Sequence, residues 1–187
     1  MTMFNLDKFI EDCDSRITTK DNHKAVIDIV ANVVENPNDL MKIIGEPKIG
    51  GIQKLYQSEK FTILNVIWPA NMTLVPHNHN MWAAIGIYTG REDNIFWKRV
   101  NGDKNGLIEA AGAKSIGARE SAPLGSNIIH SVTNPTNKYT GAIHVYGGDF
   151  YETPRSQWDC ENLIECPFEV EHSKIAFELA NARANIK

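Results

Sequence analysis

Apolar residues near the start of the chain recur at helical spacing, which predicts a helical N-terminal cap over residues 1–47. The first stripe consists of Leu6, Phe9, Ile10, Cys13 and Ile17. The second consists of Val26, Ile29, Val30 and Val33, and Pro37 ends it. A short third helix is predicted over residues 40–44, with Gly45 as its C-cap.

The pattern changes to short apolar runs between residues 50 and 150. Runs such as "MWAAIGIYTG", "NIFWKRV" and "YTGAIHVYGG" are bounded by Gly, Asn, Asp or Pro, which is typical of antiparallel strands in a sandwich or barrel. The looser segment 151–187 ends in a predicted helix with Ile175, Leu179 and Ala182 on one face. We therefore expect a mainly β protein that forms one domain over residues 1–187, with a β-barrel between a helical cap and a C-terminal tail and helix.

Composition and charge exclude several classes of function. The net charge of −4 offers no basic surface for nucleic acid, and no run of about 18 apolar residues predicts a membrane span. The acidic, amphipathic N-terminus does not resemble a signal peptide. Three cysteines, Cys13, Cys160 and Cys166, show no CxxC spacing, so we expect neither a disulfide framework nor a cysteine-rich zinc site. A cytoplasmic location fits these features.

The segment "PHNHNMW" carries two histidines, His77 and His79, one residue apart. In a strand both side chains point to the same face, and two imidazoles inside a barrel are costly unless their lone pairs find a partner. A metal ion is such a partner, although a pair of surface histidines at a strand edge has the same spacing. A third ligand could come from His130 or His144 in later strand-like runs. His23 and His172 lie in polar helical segments, where exposure is expected.

The spacing of these residues resembles the two sequence motifs of the cupin superfamily, whose double-stranded β-helix (jelly-roll) barrels hold one metal ion inside. His77, His79 and Gly90 match the first motif, except that Asn71 replaces its opening glycine, and Ala83 or Ala84 replaces its glutamate ligand. The resemblance implies a three-histidine metal site formed by His77, His79 and His130. The second motif is matched by Gly117, Pro123, Gly125, His130 and Asn134, with two extra residues before the histidine.

Within that superfamily, the chain resembles the cysteine dioxygenase-like thiol dioxygenases, and most of all the bacterial type that acts on 3-mercaptopropionate. His144 and Tyr146 match the His-x-Tyr pair of these enzymes, while Ala142 replaces a preceding serine. The resemblance implies that Tyr146, held by His144, is a catalytic donor. It also implies that Arg155 and Gln53 bind substrate. Arg91 is a rival binder of the substrate carboxylate, although "GRED" is typical of a solvated turn.

The implied function is oxidation of a small thiol carboxylate, 3-mercaptopropionate or cysteine, to its sulfinic acid with O2 and Fe(II). Zinc or nickel could occupy the same ligands in a recombinant preparation. Two alternatives remain open: a three-histidine cupin that cleaves a diketone or a related small acid, and a non-catalytic cupin that binds a metal or senses a ligand. No nucleic-acid or membrane partner is expected, while the barrel edges and N-terminal helices leave room for a homodimer.

Overall fold

The computed structural model describes residues 3–17 and 23–184. Within these ranges three helices precede a series of strands, and a fourth helix follows it. The helices are α1 (Leu6–Arg16), α2 (His23–Glu35), α3 (Pro37–Ile44) and α4 (Val170–Ala184). The strands are β1 (Gly51–Gln57), β2 (Thr62–Trp68), β3 (Thr73–Asn78), β4 (Ala83–Thr89), β5 (Arg91–Arg99), β6 (Ile108–Gly117), β7 (Ser121–Leu124), β8 (Ile129–Thr133), β9 (Thr140–Tyr146), β10 (Ser156–Trp158) and β11 (Glu165–Pro167).

The strands form two antiparallel sheets whose inner faces enclose the barrel interior. One sheet has the order β1-β2-β9-β4-β7, and the other has the order β11-β10-β3-β8-β5-β6. From β2 to β5, and again from β7 to β10, successive strands lie in alternate sheets, so the chain winds around the barrel as a double-stranded β-helix. The predicted mainly β fold with helices at both ends is thereby confirmed.

The N-terminal helices cover the outer face of the five-stranded sheet. Val26, Val30 and Val34 of α2 are fully buried and belong to the same apolar cluster as Ile143 and Val145 of β9. The close approach of α2 depends on Gly86, because a Cβ there would lie 2.6 Å from Val30 Cγ1. The strands β2, β4 and β9 of this sheet are therefore buried on both faces.

The caps of two N-terminal helices follow from local sequence. Asn5 begins α1, and its side-chain oxygen accepts a hydrogen bond from the Lys8 amide at 2.8 Å. Gly45 ends α3 with a φ of 88°, and its amide donates to the Met41 carbonyl at 2.9 Å. The predicted C-cap glycine is thus confirmed.

The C-terminal helix packs on the barrel through a face that the sequence pattern did not predict. Phe177 and Ala180 are buried, and the Phe177 ring stacks on Trp68 with 5.5 Å between the ring centroids. The predicted face was wrong, because Ile175 and Leu179 are 43% and 57% exposed. The main contact of α4 with the barrel is therefore the aromatic ring of Phe177 and not a stripe of aliphatic side chains.

No helix in the described part of the chain is both long and apolar enough to cross a membrane. Cys13, Cys160 and Cys166 are all unpaired, and burial raises the pKa of the Cys13 thiol to about 12. The thiol of Cys13 is therefore held in its protonated, unreactive form within the helix layer.

Candidate metal centre

Two neighbouring strands of the six-stranded sheet supply the three histidines. His77 on β3 lies directly opposite His130 on β8 in the antiparallel ladder. His79 follows the last residue of β3, and the chain then turns through Asn80, whose φ is 53°. The Asn80 amide group donates to the Pro154 carbonyl at 2.9 Å and so ties this turn to the C-terminal segment. All three imidazoles are buried in the interior.

The Nε2 atoms of the three histidines converge. His79 Nε2 lies 3.2 Å from His77 Nε2 and 3.3 Å from His130 Nε2. One ligand atom from each residue lies within 4.8 Å of the other two, as a shared metal ion requires. Two nitrogens that each lie about 2.1 Å from one ion are separated by roughly 3.0–3.4 Å, so the observed spacing fits a single ion.

The hydrogen bonds on the far side of two of the rings leave two of the three converging nitrogens without protons. His77 Nδ1 is 2.9 Å from the Val75 carbonyl, and His130 Nδ1 is 2.6 Å from Asn94 Oδ1. Both oxygens can only accept, so each Nδ1 carries the proton of its neutral ring and each Nε2 presents a lone pair. His79 Nε2 faces two such lone pairs and has one proton at most. A cation satisfies all three nitrogens together.

Burial keeps these rings neutral. It lowers the pKa of His77 to about 4, although the hydrogen bond to Val75 opposes the effect. Burial also lowers the pKa values of His79 and His130 well below the usual range, and the neighbouring histidines lower them further. Neutral imidazole is the metal-binding form, so the site is prepared for an ion at neutral pH.

A phenol lies against one of the three histidines. The Tyr146 ring packs edge-on against His79 with 4.9 Å between the centroids, and its hydroxyl is 2.8 Å from His144 Nδ1. Burial raises the pKa of Tyr146 far above its usual range, so the phenol keeps its proton at neutral pH. The expected His-x-Tyr pair therefore forms one hydrogen-bonded unit on β9.

Arg155 lies between two aromatic rings on the C-terminal segment. Its guanidinium carbon is 3.9 Å from the centroid of Phe150 and 4.4 Å from that of Phe168. Phe150 packs near His79 and Phe168 near His77, with centroids 6.2 and 6.0 Å apart. Among the described residues the Arg155 guanidinium has no hydrogen-bonded or ion-paired partner. Its cation is therefore available to an anion beside the histidines.

Gln53 lies away from this group. It pairs with Asn65 in the β1–β2 ladder, and its side-chain oxygen accepts from the Asn65 amide at 3.1 Å. Ile63 and Asn65 face the helix layer, where the Tyr88 hydroxyl donates to Asn65 at 3.0 Å, so Gln53 is on the outer face of the sheet. The structure does not bring Gln53 to the histidines.

Arg91, the rival binder of a substrate carboxylate, lies on the surface. It forms a bidentate ion pair with Asp93 at 2.7 and 2.9 Å. Half of the Arg91 side chain is exposed, although the residue begins β5 and does not lie in the expected turn. Arg155 is therefore the better placed of the two arginines.

The residue that sequence reasoning missed is Glu92, which is fully buried in the barrel. One of its oxygens accepts from the Asn94 amide at 3.0 Å, and the other accepts from Trp68 Nε1 at 2.9 Å. The second oxygen also lies 3.6 Å from His144 Nε2. Alternation along β5 was the available signal, since Glu92 and Asn94 point inward while Arg91 and Ile95 are exposed.

The three alanines at the departures from the family motifs contribute no polar group. Ala83 and Ala142 face the barrel interior, whereas Ala84 packs in the helix layer. The interior position that Ala83 occupies therefore supplies no carboxylate to a metal. The histidines remain as the set that could hold Fe(II), zinc or nickel.

No family model matches this chain, and no curated protein matches it either. The chain is similar in structure to an RmlC-like cupin with a double-stranded β-helix fold from Methanocaldococcus jannaschii, at 13% identity and a TM-score of 0.45 over 56% of this chain and 85% of that one. A DMSP lyase from Ruegeria pomeroyi is 16% identical, with a TM-score of 0.43 over 56% of this chain and 49% of the lyase.

Oxalate decarboxylase from Bacillus subtilis, a protein with Mn(II) centres, is 14% identical, with a TM-score of 0.39 over 49% of this chain and 22% of that enzyme. This chain thus spans less than two thirds of the lyase and of the decarboxylase. The double-stranded β-helix assignment rests on the strand order of the chain itself.

Proposed function

We propose that this chain is an Fe(II)-dependent thiol dioxygenase that converts a small thiol carboxylate and O2 to a sulfinic acid. The observation that carries the proposal is the position of an unpartnered guanidinium, Arg155, one aromatic ring away from two of three converging neutral histidines. That arrangement suits a small molecule with a metal-binding atom at one end and a carboxylate at the other.

The overall reaction adds both atoms of O2 to the sulfur. One RSH and one O2 give one RSO2H, so sulfur is oxidised, dioxygen is reduced and no further reductant is consumed. A ferrous ion held by the three histidines would supply a common binding point for the thiolate and O2 and would favour loss of the thiol proton.

Arg155 would bind the substrate carboxylate. A guanidinium can donate two parallel hydrogen bonds to a carboxylate, and the centroids of the Phe150 and Phe168 rings lie 3.9 and 4.4 Å from its central carbon. Contact with these rings reduces the exposure of the guanidinium to water, which would strengthen an ion pair with the carboxylate. Burial lowers the pKa of Arg155, but an arginine remains charged at neutral pH.

Tyr146 would turn its single hydroxyl proton from His144 Nδ1 toward the substrate or toward oxygen beside the metal. Its proton is retained at neutral pH, and its ring is fixed between His79 and Phe150. His144 Nδ1 holds the hydroxyl at 2.8 Å. The phenol would therefore be positioned before the substrate arrives.

The charges around Arg155 favour 3-mercaptopropionate over cysteine. Within the described ranges of the chain no carboxylate forms an ion pair with the Arg155 guanidinium, and burial is the main influence on its charge. The ammonium group of cysteine would lie close to a cation without an anionic partner from the protein. 3-Mercaptopropionate has no ammonium group.

Oxygen uptake by the iron-loaded protein tests the proposal. It should be measured with 3-mercaptopropionate, cysteine, a β-diketone and no substrate, with the products identified by mass. We expect uptake with the thiols alone, a sulfinic acid product and a higher kcat/KM for 3-mercaptopropionate. Uptake with the diketone alone would indicate a diketone-cleaving dioxygenase instead. No oxygen uptake by protein with verified iron would favour a non-catalytic metal-binding protein.

Arg155→Lys, with Arg91→Lys as the matched control, tests the carboxylate contact. Loss of the bidentate geometry should raise KM for 3-mercaptopropionate about tenfold or more, while the surface arginine should have no effect. Equal KM values in the natural chain and in both variants would show that Arg155 does not bind the substrate carboxylate.

A further inference from the structure

Glu92 is a buried carboxylate that links two parts of the proposed active site. It lies on β5, two residues before Asn94, and its side chain is 0% exposed. On one side, two hydrogen bonds connect Glu92 through Asn94 to His130, a metal ligand in the proposed site. On the other side, the connection runs through His144 to Tyr146.

Glu92 remains ionised in this setting. Burial alone would raise the pKa of its carboxyl group, but the interaction with His144 and the hydrogen bonds from Asn94 and Trp68 outweigh it and lower the pKa below its usual range. Both oxygens are therefore acceptors only. Asn94 must present its amide nitrogen to Glu92, which leaves its oxygen to accept from His130 Nδ1.

The orientation of His144 depends on the same carboxylate. His144 Nε2 is buried and has no hydrogen bond within normal distance, and the acceptor that it faces is Glu92 Oε2 at 3.6 Å. Ala142, on the same inner face of β9, has no group that could replace this partner. The nearby carboxylate favours a proton on Nε2, which leaves Nδ1 to accept from the Tyr146 hydroxyl.

We propose that Glu92 is a positioning residue that orients both the metal ligand His130 and the Tyr146–His144 pair. The inference deepens the proposed function, and its kinetic consequences rest on that function. One anion thus fixes which nitrogen of His130 faces the metal and how the Tyr146 hydroxyl is held. Neither effect requires Glu92 to contact metal or substrate.

The first test uses the metal-free protein and needs no activity. Histidine ring ¹⁵N and ¹H correlations should show a proton on His144 Nε2 in the natural chain. In Glu92→Gln the His144 resonances should shift most, those of His130 next, and those of His77 and His79 least. A bare His144 Nε2 in the natural chain would overturn the inference, even if Glu92→Gln fails to fold. Unchanged His144 resonances in a folded Glu92→Gln variant would also overturn it.

The second test is kinetic and uses Glu92→Gln, Tyr146→Phe and the double variant. Glu92→Gln should lower kcat about 10- to 100-fold with little change in KM, and should weaken metal binding by less than about tenfold, because Glu92 acts through other residues. In the Tyr146→Phe background the same substitution should lower kcat less than about threefold. Fully additive losses would contradict a shared path.

Asp93→Asn is the matched control, since it removes one carboxylate charge from the adjacent position on the outward face of β5. It should leave the ring resonances, metal affinity and kcat unchanged. If no thiol is oxidised by any of these proteins, the proposed function fails while the resonance test still decides the role of Glu92.

Discussion

The two faces of strand β9 have opposite chemistry although their residues alternate along one strand. Ile143 and Val145 point outward and pack against the N-terminal helices. His144 and Tyr146 point inward, where they meet Glu92 and the three converging histidines. Burial of the outward residues stabilises the fold directly, because apolar side chains lose only contact with water. Burial of the inward residues costs free energy until each polar atom has a partner.

The difference implies that the stability of the metal-free fold and the affinity of the site for a metal ion depend on different faces of the strand. The helix layer should stabilise the five-stranded sheet without any metal, since the packing between them consists mainly of apolar contacts. The converging histidines instead have unmet lone pairs, so a cation should contribute stability that the helix layer does not depend on. Substitutions on the two faces should therefore have separable effects.

The largest expected effect comes from His130→Ala. This change removes one of three ligands, so metal binding should weaken by well over 100-fold and the rise in unfolding temperature on adding metal should disappear. At a free metal concentration of 100 times Kd, that rise corresponds to about 2.7 kcal/mol in the natural chain. Thermal unfolding with and without Fe(II) or Zn(II) under anaerobic conditions measures it. His172→Ala, at an exposed histidine, is the control, and an unchanged rise in His130→Ala would refute the ligand assignment.

Much of this architecture could be predicted from the sequence because it depends on local patterns. The helical stripe through Val26 and Val30, the cap at Gly45 and the shared face of His77 and His79 all follow from residue spacing. Such features need only the period of a helix or a strand, together with the chemistry of the residues themselves.

The features that could not be predicted depend on tertiary structure. Gln53 pairs with Asn65, and only the contact of Asn65 with Tyr88 in the helix layer shows that this pair lies on the outer face of the sheet. Glu92 belongs to a polar stretch that looks like a solvated turn. It alternates with exposed residues, but only the pairing of β5 with β6 and β8 shows that its side of the strand is inside the barrel. Ile175 and Leu179 show the opposite error, because these apolar residues share one face of α4 but are exposed.

The second largest effect should come from acid, which should lower the free energy of unfolding through the buried histidines of the inward face. Because the folded-state pKa of His77 is about 4 against 6.5 for an ordinary histidine, the unfolded chain takes up protons below pH 6.5 that the folded chain does not. Stability of the metal-free protein should therefore be fully present above pH 6.5 and fall as the pH approaches 4, by on the order of 1 kcal/mol per pH unit for each buried histidine.

Urea unfolding between pH 7.5 and 4.5 measures this loss. The His130→Ala variant has one buried imidazole fewer, so its stability should fall less steeply over the same range. Identical slopes for the two proteins would show that His130 is not held neutral in the folded chain.

Gly86→Ala should disturb the outward face by a smaller amount. The added methyl group would lie 2.6 Å from Val30 Cγ1 and 2.8 Å from Val34 Cγ1, so α2 must shift away from the sheet. We expect a loss of about 1–3 kcal/mol in the free energy of unfolding, without a change in metal affinity. Val30→Ala in the same chain should recover part of the loss by making room.

Gly112→Ala is the control for this change, since a Cβ at that position of β6 meets nothing within 4 Å. It should cost little or nothing. Equal losses in the two glycine variants would mean that contact with α2 is not the cause.

Ile143→Val should have the smallest effect and gives the sharpest test of separability. Removal of one methylene from a fully buried outward residue should cost about 0.5–1.5 kcal/mol. Ile143 is the immediate neighbour of His144, so any mechanical coupling between the two faces should appear here as a changed metal affinity or a shifted His144 resonance. We expect neither, because the backbone ladder of β9 is held on both sides by β2 and β4 and fixes the direction of each side chain independently. A metal affinity that falls together with stability would show instead that packing against the helices positions the site.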